Sequence, residues 1–178
     1  MIYFSADTHF NHQNILRYCN RPFNSVEEMD ETITKNFLSV LKHGDILYFL
    51  GDMSFQVEPA EKFFNRLPIG ITIHYIRGNH DIRLTDEFLS KYCASISLMK
   101  DIKIEGQKIT LCHYAMRTWN CSCHGAYNFF GHSHGKLLSI GKQMDVGVDT
   151  HNFYPYSFDE INKIMETKED NEDLVKHD

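Results

Sequence analysis

The first half of the chain alternates short apolar runs with amphipathic segments. The apolar runs are rich in Ile, Tyr and Phe and end in polar residues, which is typical of buried strands. They are "IYFSA" before Asp7, "DILYFL" before Gly51 and Asp52, and "ITIHYI" before "RGNHD". The pattern predicts three strands that each deliver polar side chains at the point where the strand ends.

Helices are predicted between these strands. In "SVEEMDETITKNFLSVL", Ser25 and Glu28 have the spacing of a capping box, and an apolar residue recurs at every fourth position. That apolar face consists of Met29, Ile33, Phe37 and Leu41. The second helix, "PAEKFFNRL", is expected to open with Pro59, because proline is tolerated in the first turn of a helix. A shorter helix is predicted near residues 85–92.

The second half is richer in strands. Two strand-like runs flank a predicted turn at residues 105–107, and further runs follow in "AYNFF" and "KQMDVGVD". A last helix is predicted in "SFDEINKIMETKE", where Ser157 and Glu160 form a second capping box. Its predicted buried stripe consists of Ile161, Ile164 and Met165. This order of elements predicts a layered α/β fold, with helices over the outer faces of one or two packed sheets.

The composition fits one soluble domain. The chain has 178 residues, of which 42% are hydrophobic, and a chain of this size can bury most of its apolar surface as one unit. We expect a single domain over residues 1–168 and an acidic, solvated tail over residues 169–178. No apolar run approaches the roughly 18 residues of a membrane span, and "MIYFSADTHF" lacks the features of a signal peptide, so a cytoplasmic location is expected.

Cysteine spacing and net charge narrow the classes of function. The five cysteines follow no disulfide framework, which indicates free thiols in a reducing compartment. In "CSCH", Cys121, Cys123 and His124 could form half of a zinc site, but no second cysteine pair completes a four-ligand set. The formal net charge of −6 argues against strong binding to nucleic acid, which depends on a basic surface.

Residues with metal-binding side chains follow the predicted strands. In α/β folds, reactive groups gather just past the carboxyl ends of the strands. The motifs at these ends are "DTH", "GD", "GNHD", the isolated His113 and "GHSH". Each motif alone also has a structural explanation, since such residues favour turns. Together they offer only oxygen and imidazole nitrogen, which is the ligand chemistry of Mn, Fe, Zn or Ni.

The pair His132 and His134 in "NFFGHSHGKL" carries the same ambiguity. On an extended segment, side chains two residues apart point to the same face, so both imidazoles could address one site. Two unrelated histidines are the alternative that the pair alone leaves open.

Taken in order from Asp7 to His134, these motifs resemble those of the calcineurin-like metallophosphoesterase superfamily. The resemblance implies a four-layer α-β-β-α sandwich of two mixed β-sheets flanked by helices. More narrowly, "HYAMRTWN" ahead of "FFGHSHG" resembles small single-domain bacterial and phage members. This chain has Ala115 where Pro is usual, and Asn11 where Gly usually precedes the histidine. Loop stiffness and substrate contacts are therefore expected to differ at those two positions.

The resemblance also implies a role for each matched residue. The implied ligands are Asp7, His9 and His134 for one metal ion, Asn79, His113 and His132 for the other, and Asp52 as the bridge between them. His80 would protonate the leaving group or stabilise its charge, since imidazole exchanges protons near neutral pH. Asp81 would either orient His80 or cap the turn. The expected cofactors are two divalent transition-metal ions, manganese first, with iron, zinc or nickel as alternatives.

Four further residues are candidates for substrate contact. Arg117 has the guanidinium fork that suits phosphate, and Trp119 could form an apolar or stacking wall nearby. The alternative is a surface arginine and a packed tryptophan. His12 and Asn14 follow the first metal-binding turn and are expected to line the pocket.

The activity that the resemblance implies is hydrolysis of phosphate esters by in-line attack of a metal-bridging hydroxide. The expected substrates are phosphodiesters of small or nucleotide-like molecules. One alternative is a non-catalytic metal-binding scaffold, although scaffold relatives lack several of the ligands that this chain retains. Another is a nuclease on short oligonucleotides. The expected partner is thus a small phosphorylated substrate, with no membrane and no long nucleic acid.

Overall fold

The structure is a computed structural model that describes residues 1–172, in which nine strands form two β-sheets. In chain order the strands are β1 (Ile2–Ser5), β2 (Ile46–Phe49), β3 (Thr72–Ile76), β4 (Ser95–Ser97), β5 (Met99–Ile104), β6 (Gln107–Cys112), β7 (Tyr127–Phe130), β8 (Gln143–Asp145) and β9 (Tyr156–Ser157). The helices are α1 (Gln13–Tyr18), α2 (Val26–Val40), α3 (Val57–Arg66), α4 (Asp86–Leu89) and α5 (Phe158–Glu166). Two short 3₁₀ turns lie at Ser122–His124 and Val148–Thr150.

Both sheets are mixed. The first has the order β4-β3-β2-β1-β9 and the second the order β5-β6-β7-β8. In the first sheet only β9 runs antiparallel to its neighbour, and in the second only the β5–β6 pair is antiparallel. The predicted fold class, two mixed sheets flanked by helices, is confirmed.

Parallel pairing determines where the strands deliver their polar residues. Strands β1, β2 and β3 are parallel neighbours, as are β6, β7 and β8, so their carboxyl ends share one edge in each sheet. An isolated parallel bridge between Ala6 and Gly147 joins the two sheets at this edge. The residues that follow these six strands are thereby brought to one place.

Two hydrophobic cores hold these layers together. Along β1, Tyr3 belongs to the core shared with α2 and α3, while Phe4 belongs to the core between the sheets, as the alternation of side chains along a strand requires. The second core also takes in Ile161 and Met165 of α5. The carboxyl ends of β1 and its neighbours are therefore fixed by packing on both faces.

The predicted helix signals are mostly confirmed. The apolar face of α2 is fully buried, and Ser25 accepts a hydrogen bond from the Glu28 amide (3.1 Å). The Glu28 carboxylate, however, accepts from the Asn24 amide instead of completing the capping box. The box of Ser157 and Glu160 is complete.

Other boundaries were predicted less well. Helix α3 begins at Val57, which makes Pro59 its third residue, still within the first turn. Ile164 is 38% exposed, so its predicted place in the buried stripe of α5 is wrong. Helix α1 and strand β9 had no sequence signal, because both are too short to show a period.

The end of the described chain is not wholly solvated. Asn171 is buried, and its amide donates to the Arg117 carbonyl (3.3 Å). The prediction of a solvated tail is therefore wrong for Asn171, because the chain there still packs against the loop after β6. Residues 173–178 lie outside the described part, and the boundary at residue 168 stays a prediction. None of the described helices is long and apolar enough to cross a membrane.

Candidate metal centre

All seven residues predicted as metal ligands converge at the shared edge of the two sheets. The ligand atoms of Asp7, His9 and His134, here called the first cluster, lie within 4.8 Å of one another. The same holds for Asp52, His113 and His132, here called the second cluster. Asn79 adjoins the second cluster, with its Oδ1 atom 3.2 Å from Nε2 of His113.

Asp52 lies between the two clusters. Its Oδ2 atom is 3.4 Å from Nε2 of His113 and 3.7 Å from Nε2 of His9. Its other oxygen, Oδ1, accepts a hydrogen bond from the backbone amide of His80 (2.9 Å). One carboxylate is thus fixed by the backbone on one side and within reach of ligands from both clusters on the other.

The backbone at these ligands is unusual. Five of the seven have a left-handed conformation, namely Asp7 (φ 60°), His9 (φ 51°), Asp52 (φ 56°), His132 (φ 66°) and His134 (φ 49°). Non-glycine residues adopt positive φ rarely, and such strain costs about 1–3 kcal/mol for each residue. Long-range hydrogen bonds maintain the left-handed conformation at two of them. The Asp7 amide donates to the Gly51 carbonyl (3.0 Å), and the His9 amide donates to the Asp52 carbonyl (3.1 Å).

Two glycines let the ligand loops approach one another. A Cβ atom at Gly78 would lie 2.2 Å from Oδ1 of Asp52, and one at Gly131 would lie 2.8 Å from Oδ2 of Asp7. Both distances are far below van der Waals contact. The glycines in "RGNHD" and "FGHSH" are therefore required by close approach, which the sequence alone did not reveal.

A buried ionic network supports the first cluster. The Arg21 side chain is fully buried and binds both carboxylate oxygens of Asp149, at 2.8 and 2.7 Å. It also donates to the carbonyls of Asp7 (2.6 Å) and Thr8 (2.8 Å). Asp149 in turn bonds Nδ1 of His134 (2.7 Å). This fixes the ring and leaves Nε2 as the nitrogen available to a metal ion.

Arg21 and Asp149 support the first cluster, and the motifs did not reveal them. Asp149 lies four residues past the end of β8, so the strand-end rule that found the ligands also points to it in "MDVGVD". Arg21 lies in an irregular loop and had no such signal. Cys19 lies within 4.8 Å of His134 and Asp149, but the carboxylate there is already engaged by Arg21.

Neutral contacts support the second cluster. Nδ1 of His113 bonds the Leu50 carbonyl (2.7 Å), which leaves its Nε2 for a metal ion. The Tyr114 hydroxyl donates to Oδ1 of Asn79 (3.3 Å), and its ring packs edge-on against that of His132, with centroids 4.8 Å apart. His132 itself is exposed.

The Asp81 carboxylate bonds to backbone amides rather than to the side chain of His80. Its carboxylate accepts hydrogen bonds from the amides of Asp52 (3.0 Å), Met53 (3.0 Å) and Gly78 (2.7 Å). These bonds tie the loop after β2 to the loop after β3. The predicted orientation of His80 by the Asp81 carboxylate is thus replaced by the turn-capping alternative.

His80 lies at the open side of the centre. Its side chain is 41% exposed, and its Nε2 atom is 4.0 Å from Oδ2 of Asp52. Its ring packs edge-on against Phe55, with centroids 4.6 Å apart. The imidazole is therefore close to the carboxylate between the clusters while remaining accessible to a substrate.

Of the two candidates in the loop after Asp7, His12 contacts residues of the site. The ring of His12 lies 5.5 Å from that of His9 and 4.7 Å from that of Phe55, centroid to centroid. Asn14 is exposed on α1. Asn11 has φ 57°, so it takes a conformation that glycine adopts freely and that asparagine tolerates better than most residues.

The candidates after His113 differ in exposure. Trp119 is buried and its indole N–H donates to the Ala126 carbonyl (2.9 Å), which is the packed-tryptophan alternative. Arg117 is exposed. In "CSCH", the Cys121 sulfur contacts the Lys108 ammonium (3.2 Å), and among residues 1–172 this segment is in none of the groups that could hold a metal ion.

The electrostatics of the site favour the metal-binding forms of His9 and Asp52, whereas His134 must lose a proton to bind a metal ion. Burial lowers the pKa of His9 to about 2, so this ring is neutral, as metal binding requires. Burial raises the pKa of Asp52, but the hydrogen bond and charge of His113 outweigh it, and the pKa falls to about 2. Burial lowers the pKa of His134, yet its bond to Asp149 outweighs this and raises it to about 10.

The first cluster contains polar atoms that lack a partner. Oδ1 of Asp7 and both ring nitrogens of His9 are buried without a hydrogen bond to any part of the described chain. Burial also raises the pKa of Asp7 well above its ordinary value. Unsatisfied buried groups of this kind are costly, and a divalent cation would satisfy the Asp7 oxygen and one of the two His9 nitrogens. The residues therefore fit a metal ion.

Comparisons with known proteins agree with this arrangement. Residues 1–155 match the model of the calcineurin-like phosphoesterase superfamily domain. An uncharacterised protein of Methanocaldococcus jannaschii is 36% identical over 93% of this chain and 91% of its own length. A solved protein of unknown function from Aquifex aeolicus has a TM-score of 0.71 at 26% identity, covering 92% of this chain and 98% of its own.

A more distant likeness is to a solved archaeal phosphodiesterase, with a TM-score of 0.46 and 17% identity over 82% of each chain. At that distance it bears on neither fold nor activity. The family match, which spans all the ligand motifs from Asp7 to His134, is sufficient by itself. The chain belongs to the calcineurin-like phosphoesterase superfamily.

Proposed function

We propose that this protein is a phosphoesterase that uses two divalent transition-metal ions to hydrolyse phosphodiesters of small or nucleotide-like molecules. The observation that carries the proposal is the position of Asp52, whose Oδ2 atom lies within 4 Å of ligand nitrogens from both clusters. A carboxylate placed in this way suits a bridge between two cations.

The proposed ligands follow the two clusters. The first cluster would hold one ion, and the second cluster together with Asn79 would hold the other, with Asp52 shared. When bound, such a pair of ions supplies positive charge that makes water a stronger acid and neutralises phosphoryl oxygens. Manganese is the ion we propose first, since the ligand set combines carboxylate, amide oxygen and imidazole.

His80 is the proposed acid for the leaving group. In the balanced reaction, a water oxygen bonds to phosphorus and the ester P–O bond breaks, leaving its electron pair on the leaving oxygen. The His80 imidazolium gives that oxygen a proton, and the proton lost by the attacking water restores the imidazolium. The exposure of His80 beside Asp52 supports this role, because the side chain can reach a substrate from the solvent side.

A diester is the proposed substrate because the site is open at the second cluster. His132 is exposed and His80 is half-exposed, so substituents on both sides of a phosphate can extend into solvent.

All five cysteines are free, which supports a cytoplasmic location.

The test is hydrolysis of a matched aryl phosphomonoester and aryl phosphodiester by chelator-treated protein, titrated with Mn²⁺, Ni²⁺, Zn²⁺ and Mg²⁺. We expect metal-dependent turnover that favours the diester. His80→Ala should bind the metals normally but turn over about 10²- to 10⁴-fold more slowly, as the loss of a general acid predicts. Protein that binds two ions and hydrolyses neither ester would refute the proposal and indicate a scaffold.

A further inference from the structure

A cavity of about 270 Å³ adjoins the proposed acid. It is lined by Phe55, Gln56, His80, Ile82 and Arg83. Apart from His80, none of these residues has a part in the metal centre. Because His80 lines it, the cavity adjoins the side of the centre from which His80 would protonate the departing oxygen. It therefore lies where the leaving half of the substrate would be.

The far wall of this cavity is a fixed turn. The Leu84 amide donates to the Asp81 carbonyl (2.9 Å), which makes Ile82 and Arg83 the corner of a turn between two buried residues. The three bonds from backbone amides to the Asp81 carboxylate anchor the turn to the loop after β2. The corner is thus held in place, although Ile82 is 84% exposed.

The near wall is aromatic. The Phe55 ring lies between two histidines, 4.6 Å from His80 and 4.7 Å from His12 by ring centroids, and both contacts are edge-on. An aromatic ring held between two neighbours offers a preformed contact for a flat ligand ring, because offset and edge-on ring pairs are favourable.

Arg83 gives the cavity a cation. It forms no ion pair or side-chain hydrogen bond with residues 1–172, whereas the nearby Arg77 is paired with Asp86. A free guanidinium plane can stack on an aromatic ring or bind an anionic substituent. Phenyl ring, isoleucine and guanidinium together are the chemistry of a site for a flat heteroaromatic group.

We infer that this cavity is a subsite for an aromatic ring, such as a nucleobase, on the leaving half of the substrate. The inference rests on the proposed function, because it takes the orientation of the substrate from His80. It restricts that function to phosphate esters whose leaving group carries a planar ring.

The test is binding of a ligand pair that differs only in the ring. Adenosine 5′-monophosphate and ribose 5-phosphate are titrated calorimetrically into Mn²⁺-loaded protein. We expect the nucleotide to bind at least about fivefold more tightly, the lower end of what stacking on an aromatic side chain contributes. Ile82→Ser and Arg83→Gln should each reduce this ratio without weakening binding of ribose 5-phosphate. The matched control is Ile69→Ser, an exposed isoleucine outside the cavity, which should preserve the ratio.

The outcomes separate this inference from the proposed function. Equal affinities for the two ligands, or a ratio that survives both variants, would overturn the subsite even if aryl esters are hydrolysed. A ring-dependent ratio that Ile82→Ser and Arg83→Gln abolish would establish the subsite, and it would do so even if the esterase assay showed no turnover.

Discussion

The two clusters of the metal centre are held in different ways. The ring of His134 in the first cluster is bonded to a buried carboxylate that is itself clamped by a fully buried arginine. The ring of His132 in the second cluster is exposed and contacts only the rings of Tyr114 and His113 in the aromatic pairs. Charged support in a buried setting restrains a ligand more strongly than aromatic contact at the surface does.

This difference predicts different tasks for the two clusters in the proposed function. The first is restrained before any ion binds, so it should bind its ion more tightly. The second leaves room beside His132, His80 and Tyr114, so substrate can reach it. Under the proposed function, one ion would stay in place while the other would face the ester. The following variants would break or sharpen this comparison.

The largest effect on metal binding is expected at Asp52, which lies between the two clusters. Asp52→Asn should weaken binding of both ions by more than about 100-fold, beyond the usual cost of changing a residue that only supports a ligand. Turnover should be lost with them. Calorimetric titration with Mn²⁺ measures both binding steps, and circular dichroism checks the fold. A variant that loses only one ion would remove Asp52 from its shared position.

The next effect concerns stability. Arg21→Met removes one partner of the buried ion pair with Asp149, which should lower the free energy of unfolding by about 3–5 kcal/mol. Urea denaturation of metal-free protein measures it. The matched control is Arg66→Met, which breaks an exposed pair with Glu31 and should cost about 0–1 kcal/mol. Equal stability of the two variants would mean that the buried network does not hold the first cluster.

A selective effect on one ion is expected when the support of His134 is weakened. Asp149→Asn keeps the shape of the side chain but removes its charge. It should weaken one metal-binding step by about 10- to 100-fold and leave the other unchanged, in line with other residues that orient metal-ligating histidines. A two-step Mn²⁺ titration measures both. Equal weakening of the two steps would contradict separate support for the two clusters.

The smallest effect on metal binding is expected in the second cluster. Tyr114→Phe removes the hydroxyl that donates to Asn79 while keeping the ring against His132. One neutral hydrogen bond corresponds to roughly a 2- to 10-fold change in affinity. The step that weakens should be the one that Asp149→Asn leaves unchanged, and the same titration decides this. If both variants affect the same step, the division into two clusters is wrong.

Much of the fold could be predicted because its signals are local. The strands and the long helices α2 and α5 show clear apolar periods, and the motif residues follow the strands directly. Asp149 obeys the same strand-end rule and could have been found by it. Arg21 could not, because its partner Asp149 is 128 positions away and a loop arginine is exposed in most proteins.

The role of a residue proved harder to predict than its presence at the site. The sequence leaves open whether Asp81 orients His80 or caps the turn, and whether Trp119 forms a wall for the substrate or packs inside the protein. In the fold, the Asp81 carboxylate is taken up by three backbone amides and Trp119 is packed inside its loop. Hydrogen-bond partners depend on which loops meet, and local sequence does not contain that information.

The left-handed backbone at Asp7 and His9 has a consequence for transplanting this centre into other scaffolds. Those conformations are held by carbonyls of the loop after β2, far away in the chain. A host protein given only the "DTH" segment would let it relax to an ordinary turn with its side chains misdirected. A successful graft must carry two adjacent parallel strands with their following loops, so the smallest portable unit is a strand pair rather than a motif.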